Sequence, residues 1–169
     1  VHQRGLGRMR YCNGKFGKRD DITIPLSDRS IFFGDAIHDA AIGSHDRILW
    51  ESEHIQRFLD NANILGINHK LTERYLSQLL REVAVKSTIE NYFIYFQLSR
   101  DLKTRTHSAM GCGSNLLITI DPIEIKSTFT PLRLVTADDL RYGYCDVKTV
   151  NLLPAVLSAT KSERIGCDE

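Results

Sequence analysis

Apolar positions along this chain follow two periods, and the change from one to the other marks out its elements. Ile55, Phe58, Leu59, Ala62 and Leu65 recur at three- and four-residue intervals, which predicts a helix with Ser52 as its N-cap and Gly66 as its stop. Thr72 caps a second helix that carries Leu76, Leu79, Leu80 and Val83 on one side. Around this pair the period falls to two. Tyr92 to Leu98 alternates aromatic and β-branched residues as a strand, Asn115 to Ile120 is another, and Leu132 to Thr136 a third. Earlier, Asn13-Gly14 sets a tight turn between Arg10–Cys12 and Lys15-Phe16, a hairpin signal. Ile22 to Pro25 reads as extended, Ser27-Asp28-Arg29 as a turn, and Phe32 to Asp35 as the lead into a strand over Ala36 to Ile42. His45-Asp46-Arg47 turns that strand back through Ile48-Leu49-Trp50. Near the end, Asn151 to Ile165 predicts a helix with Pro154 in its first turn and Gly166 as its stop.

These elements make an α+β chain. Residues 1–9 read as an N-terminal extension and 10–122 as an N-terminal α+β domain of sandwich-like build. Asp121-Pro122 opens a linker over 123–130, and 131–169 reads as the beginning of a second, incomplete domain. Some forty residues are too few for an independent unit. The chain begins at Val1 rather than at a methionine and stops just after a helix end, so it reads as an excerpt.

Composition narrows the function classes. With 42% hydrophobic and 25% charged residues in a chain of 169, a core can be buried. A net charge of +1 provides no broad field for nucleic acid or an anionic membrane, so any anion site has to be local. No apolar run approaches the roughly 20 residues that span a bilayer, and Val1 to Met9 is unlike a signal peptide; the expectation is a cytoplasmic protein. Cys12, Cys112, Cys145 and Cys167 form no Cys-x-x-Cys pair, and the spacings among His38, His45 and His54 match no helical ligand pair, so no metal site is expected.

The candidate chemistry centres on Lys148, within Cys145-Asp146-Val147-Lys148-Thr149-Val150-Asn151-Leu152-Leu153-Pro154. A lysine in apolar, β-branched surroundings either snorkels to water or loses its proton, and the neutral amine is a nucleophile of the kind a Schiff-base lysine requires. Arg57 in His54-Ile55-Gln56-Arg57-Phe58-Leu59 is either a solvated helix residue or an anion fork. Arg105 and His107, at i and i+2 on the polar loop 99–114, project to one side and are either surface groups or a grip for a carboxylate.

Taken together, the Lys148 segment, the Arg57 helix, the Arg105-x-His107 loop and Phe33-Gly34-Asp35-Ala36-Ile37-His38-Asp39 resemble, in order, the motifs of the class IV (fold type IV) pyridoxal-phosphate aminotransferases, closest to the D-amino acid branch. The resemblance runs from about Arg10 to Glu169. It implies pyridoxal 5'-phosphate as cofactor, Lys148 as the catalytic base bonded to it, Arg57 on its phosphate, and Arg105 and His107 on the substrate carboxylate, with His38 where the family has a tyrosine. It also implies a homodimer in which the Arg105 loop reaches the partner subunit's site, acting on a D-amino acid and a 2-oxo acid. Ala36, Asp39 and Asp101 stand where the family has glycine, glutamate and glycine. A branched-chain aminotransferase or aminodeoxychorismate lyase of the same fold, and a non-catalytic remnant serving as an interaction module, are the alternatives.

Overall fold

Alternation along Asn91–Arg100 builds the centre of the molecule. The computed structural model describes residues 8–18, 20–101 and 105–169; the expected N-terminal extension, apart from Arg8 and Met9, lies outside them. In chain order the elements are β1 (Arg10–Cys12), β2 (Lys15–Gly17), α1 (Arg29–Phe33), β3 (Ala36–Ser44), β4 (Arg47–Ile48), α2 (Glu51–Ile64), α3 (Glu73–Ser87), β5 (Asn91–Arg100), β6 (Ser114–Pro122) and α4 (Leu153–Arg164). The strands form one antiparallel sheet in the order β2-β1-β6-β5-β3-β4. This is the expected α+β arrangement.

Successive strand residues face opposite sides, so each strand contributes to two surfaces. On one, Tyr92, Ile94, Phe96 and Leu98 of β5 and Ile118 and Ile120 of β6 are buried with Ile55, Phe58 and Ala62 of α2 and Leu76, Leu80 and Val83 of α3. Phe58 meets Phe96 with ring centroids 4.8 Å apart. Each buried Leu, Ile, Val or Phe among them contributes about 1.5–3 kcal/mol by leaving water. On the other surface the register aligns His38 with Gln97 and Gln97 with Leu117, and Ala40 with Tyr95 and Tyr95 with Thr119. Strands β3 and β4 join through the turn expected at His45-Asp46-Arg47.

Three expectations change. Ser52 does not cap α2: the helix starts at Glu51 behind Trp50, which holds a left-handed φ of 46° and makes no side-chain cap, while the Ser52 hydroxyl donates to Glu73 at 2.7 Å. The β3–β4 hairpin hands the chain straight into the helix, which places Ser52 inside the first turn. Phe32 and Phe33 are helical rather than a strand lead-in, because Asp28 accepts the Ser30 amide as an N-cap and Gly34, at φ 60°, ends the turn. Leu132 to Thr136 forms no strand. Its neighbour is the chain's own end, with Val135 donating to the Glu169 carbonyl and Asp168 to the Arg133 carbonyl, and β-branching without a ladder partner does not make a strand. Apolar side chains from 125 to 165 are largely exposed, Phe129 at 93%.

Candidate active site

The Lys148 segment is docked along the start of β3. Ile37 and Thr149 form an antiparallel bridge, the His38 amide donates to the Lys148 carbonyl at 2.9 Å, and the Val150 amide donates to the Ala36 carbonyl at 3.2 Å. Val147 is buried in the core, and Asn151 donates from Nδ2 to the Gly34 carbonyl at 3.1 Å. This register sets Lys148 opposite His38, and opposed residues of an antiparallel pair share a face. Lys148, His38 and Gln97 therefore lie in one row across the Lys148 segment, β3 and β5, spaced about 4.8 Å apart.

His38 is 6% exposed, its ring stacks on Tyr95 at 5.3 Å, and its Nδ1 has no hydrogen-bond partner. Burial pushes the imidazole pKa below its ordinary value and the Lys148 cation pushes it further, while Asp39 and the Thr149 backbone oppose them. Tyr95, whose hydroxyl donates to Gln97 Oε1 at 2.7 Å, is pushed up to about 12 by burial. Next to a half-buried lysine this leaves a neutral imidazole with a nitrogen to spare and an un-ionised phenol.

One residue along β3, the chain faces the helices. Asp39 is fully buried and binds Arg57 of α2 through two parallel bonds, Nε to Oδ2 at 2.7 Å and Nη2 to Oδ1 at 2.8 Å; His54 Nδ1 lies 2.9 Å from the same Oδ1. Burial alone would raise the Asp39 pKa, but hydrogen bonds from Arg57, His54 and the Ala40 amide outweigh it and hold the carboxyl below its ordinary value. Among the described residues Arg57 Nη1 makes no hydrogen bond, and about half of the side chain is exposed.

Arg105 and His107 stand apart from this group. Both are exposed; Arg105 lies over Phe32 and Phe33, at 5.8 and 5.6 Å from the ring centroids, and the His107 ring sits 5.4 Å from Phe33. Arg29 secures their backbone. Only 3% exposed, it donates to the carbonyls of Thr106 at 2.7 Å and His107 at 3.0 Å, and from Nε to Asp35. Arg100 holds the other oxygen of Asp35. No hydrogen bond, ion pair or ring contact among the described residues joins Arg105 or His107 to Lys148, His38 or Arg57.

The family described as amino-transferase class IV matches residues 41–169, the greater part of this chain. The chain belongs to that family. Class IV aminotransferases use pyridoxal phosphate. Among curated members the chain is 28% identical over 152 residues to the D-alanine aminotransferase of Staphylococcus epidermidis, covering 88% of this chain and 54% of that one. It is 28% identical over 162 residues to the D-alanine aminotransferase of Bacillus licheniformis, covering 93% and 56%. This class IV chain thus spans about half the length of the curated relatives it matches. Its fold is shared with the branched-chain aminotransferase of Thermoproteus uzoniensis, at a TM-score of 0.83 and 15% identity over 95% of this chain and 58% of that one. The Escherichia coli branched-chain enzyme matches at a TM-score of 0.77 and 16% identity, again over 95% and 58%.

The residues present suit the family's cofactor. A half-buried amine beside a buried, unpartnered imidazole nitrogen suits an aldehyde-bearing ring, and a guanidinium with an unused Nη1 suits a phosphate. Sequence reasoning gave no site role to Asp39, Tyr95, Gln97 or Arg29. The period of two along β5 places Tyr95 and Gln97 on one face, but which face meets Lys148 depends on the bridge to Thr149. Asp39 and Arg29 act through partners 18 and about 77 residues away, and no local pattern marks such pairs.

Proposed function

We propose that this chain carries the catalytic lysine of a pyridoxal-phosphate aminotransferase that moves an amino group between a D-amino acid and a 2-oxo acid. The observation that carries this is the placement of Lys148 opposite His38 on the face of the sheet away from α2 and α3. When bound, pyridoxal phosphate supplies an electron sink for the charge that develops at the substrate's α-carbon. Lys148 would hold the cofactor by its amine; once the substrate's amino group displaces that amine, the freed Nζ can take the proton from the substrate's α-carbon and deliver it onward, as base and acid in turn. Arg57 anchors the phosphate through the donor that Asp39 leaves unused. His38, neutral and with Nδ1 unpaired, hydrogen-bonds the substrate in place of a tyrosine.

The D assignment rests on the Arg105-x-His107 pair together with the D-alanine aminotransferase relatives; the branched-chain structures share the fold alone at their level of identity. Among the described residues no hydrogen bond, ion pair or ring contact joins Arg105 or His107 to Lys148, which fits service to the site of a second subunit in a homodimer. Residues 131–169 we read as the opening of the cofactor-binding unit.

Absorbance of the full chain with pyridoxal phosphate, followed by borohydride reduction and peptide mapping, tests the reading. A visible band that disappears in Lys148→Ala, with the reduced adduct on Lys148, is expected. Turnover should favour D-alanine over L-leucine. An adduct elsewhere, or none, removes the proposal and favours the non-catalytic alternative; turnover of L-leucine alone reassigns the substrate to the branched-chain class.

A further inference from the structure

We infer that Asp39 is a positioning residue that sets the affinity for the cofactor's phosphate by fixing the orientation of Arg57. The inference rests on the reading of Arg57 as the phosphate anchor and adds to it a residue on the opposite side of β3 from Lys148. Arg57 sits on α2 with about half its side chain in water, where a free arginine would sample many rotamers. Asp39 removes that freedom. Its buried carboxylate takes Nε and one hydrogen of Nη2 in a parallel pair, so the guanidinium plane is fixed and Nη1 projects away from the strand.

The carboxylate is held in its turn. Oδ1 also accepts from the Ala40 amide at 2.7 Å and faces His54 Nδ1 at 2.9 Å, so backbone and helix α2 both fix the acceptor. Such support is needed because a buried carboxylate without partners would protonate. A strand residue one methylene shorter than glutamate thus links Arg57 to the same strand that carries His38. The phosphate anchor and the face beside Lys148 are registered to one another through two consecutive β3 residues.

The test compares pyridoxal phosphate with pyridoxal, which lacks the phosphate, by equilibrium dissociation from the full chain, using absorbance and fluorescence rather than turnover. Asp39→Asn keeps the shape but weakens the grip on Arg57; it should lower affinity for pyridoxal phosphate about tenfold, the equivalent of one charge-assisted hydrogen bond, and leave pyridoxal unchanged. In an Arg57→Ala background Asp39→Asn should have no further effect, since a positioning residue acts only through the group it positions. Equal losses for both ligands, or a full effect of Asp39→Asn without Arg57, would mean a merely structural role and overturn the inference. If Arg57→Ala itself spares pyridoxal phosphate binding, the reading of Arg57 is what fails. Should Asp39→Asn not fold, Arg57→Lys replaces it: lysine keeps the charge but has no fork to orient, so the preference for the phosphorylated ligand should fall, and a preserved preference overturns the inference.

Discussion

His38 couples the site to pH in a direction that follows from its surroundings. Because burial and then Lys148 hold the folded-state pKa of His38 below its ordinary 6.5, the unfolded chain takes up a proton in a range where the folded chain does not. Stability therefore falls as pH drops below 6.5 and stops falling once His38 protonates in the folded state too. In urea unfolding across that range, His38→Gln should flatten this part of the profile; an unchanged slope would assign the effect to other groups. Gly34 is a second residue whose role is geometric. Its φ of 60° and the Asn151 side chain, which an added Cβ would strike, leave no room for a methyl group. Gly34→Ala should cost about 1–2 kcal/mol from the left-handed backbone alone, read from chemical denaturation. Because Asn151 must move, it should also loosen the Lys148 segment, seen as faster amide exchange at His38 and Val150, both of which donate across the bridge.

At the scale of elements, Arg29 illustrates how one buried side chain organises a loop. Its guanidinium spans Asp35 and the carbonyls of Thr106 and His107, tying α1, the start of β3 and the Arg105 loop together. Arg29→Lys keeps the charge but lacks the fork, so fewer than all three acceptors can be reached at once. We expect a loss of about 1.5–3 kcal/mol in stability and faster proteolytic cleavage near Arg105, with β5 and β6 intact by amide exchange; a cleavage rate unchanged from the parent would show that the loop is held otherwise. Such ties mark where the sequence was hard to read. Helices α2 and α3 and strands β5 and β6 were legible because a single period of apolar residues is a local signal that burial then reinforces, and β3 was legible as a small-residue segment following a turn. The start of α2 was not, since Trp50 occupies the N-cap in a left-handed conformation that a tryptophan seldom adopts, with no side-chain cap to mark it. Short α1 was hidden because its cap, Asp28, is stabilised by Ser99 and Asn115, far along the chain. The candidate site divides in the same way: motif order pointed to Lys148, Arg57, Arg105, His107 and His38, whereas Asp39 and Tyr95 emerge only from strand register.

Across the whole molecule, the two halves differ in how they treat apolar side chains. Residues 10–122 enclose a continuous core between the sheet and α2 and α3, while Phe129, Leu134, Leu140, Leu153, Val156 and Leu157 stand exposed. An apolar surface of that extent is unusual for a monomer in water. The 169-residue chain by itself should bind a hydrophobic dye strongly and self-associate with rising concentration, measured by fluorescence and light scattering. Replacing Leu153 and Leu157 of α4 by lysine should reduce both while leaving the thermal transition of the sheet domain in place; dye binding that persists unchanged would locate the exposed surface elsewhere. No helix among the described residues is long and apolar enough to cross a membrane, so this surface is not a transmembrane segment of that kind.

Strand β3 presents His38 and Asp39 to opposite sides of a single layer of backbone. Losing or gaining one residue between Gly34 and His38 would exchange their destinations, burying an imidazole among the helices and turning a carboxylate toward Lys148. Length changes between Gly34 and His38 should therefore come only in pairs among functional variants.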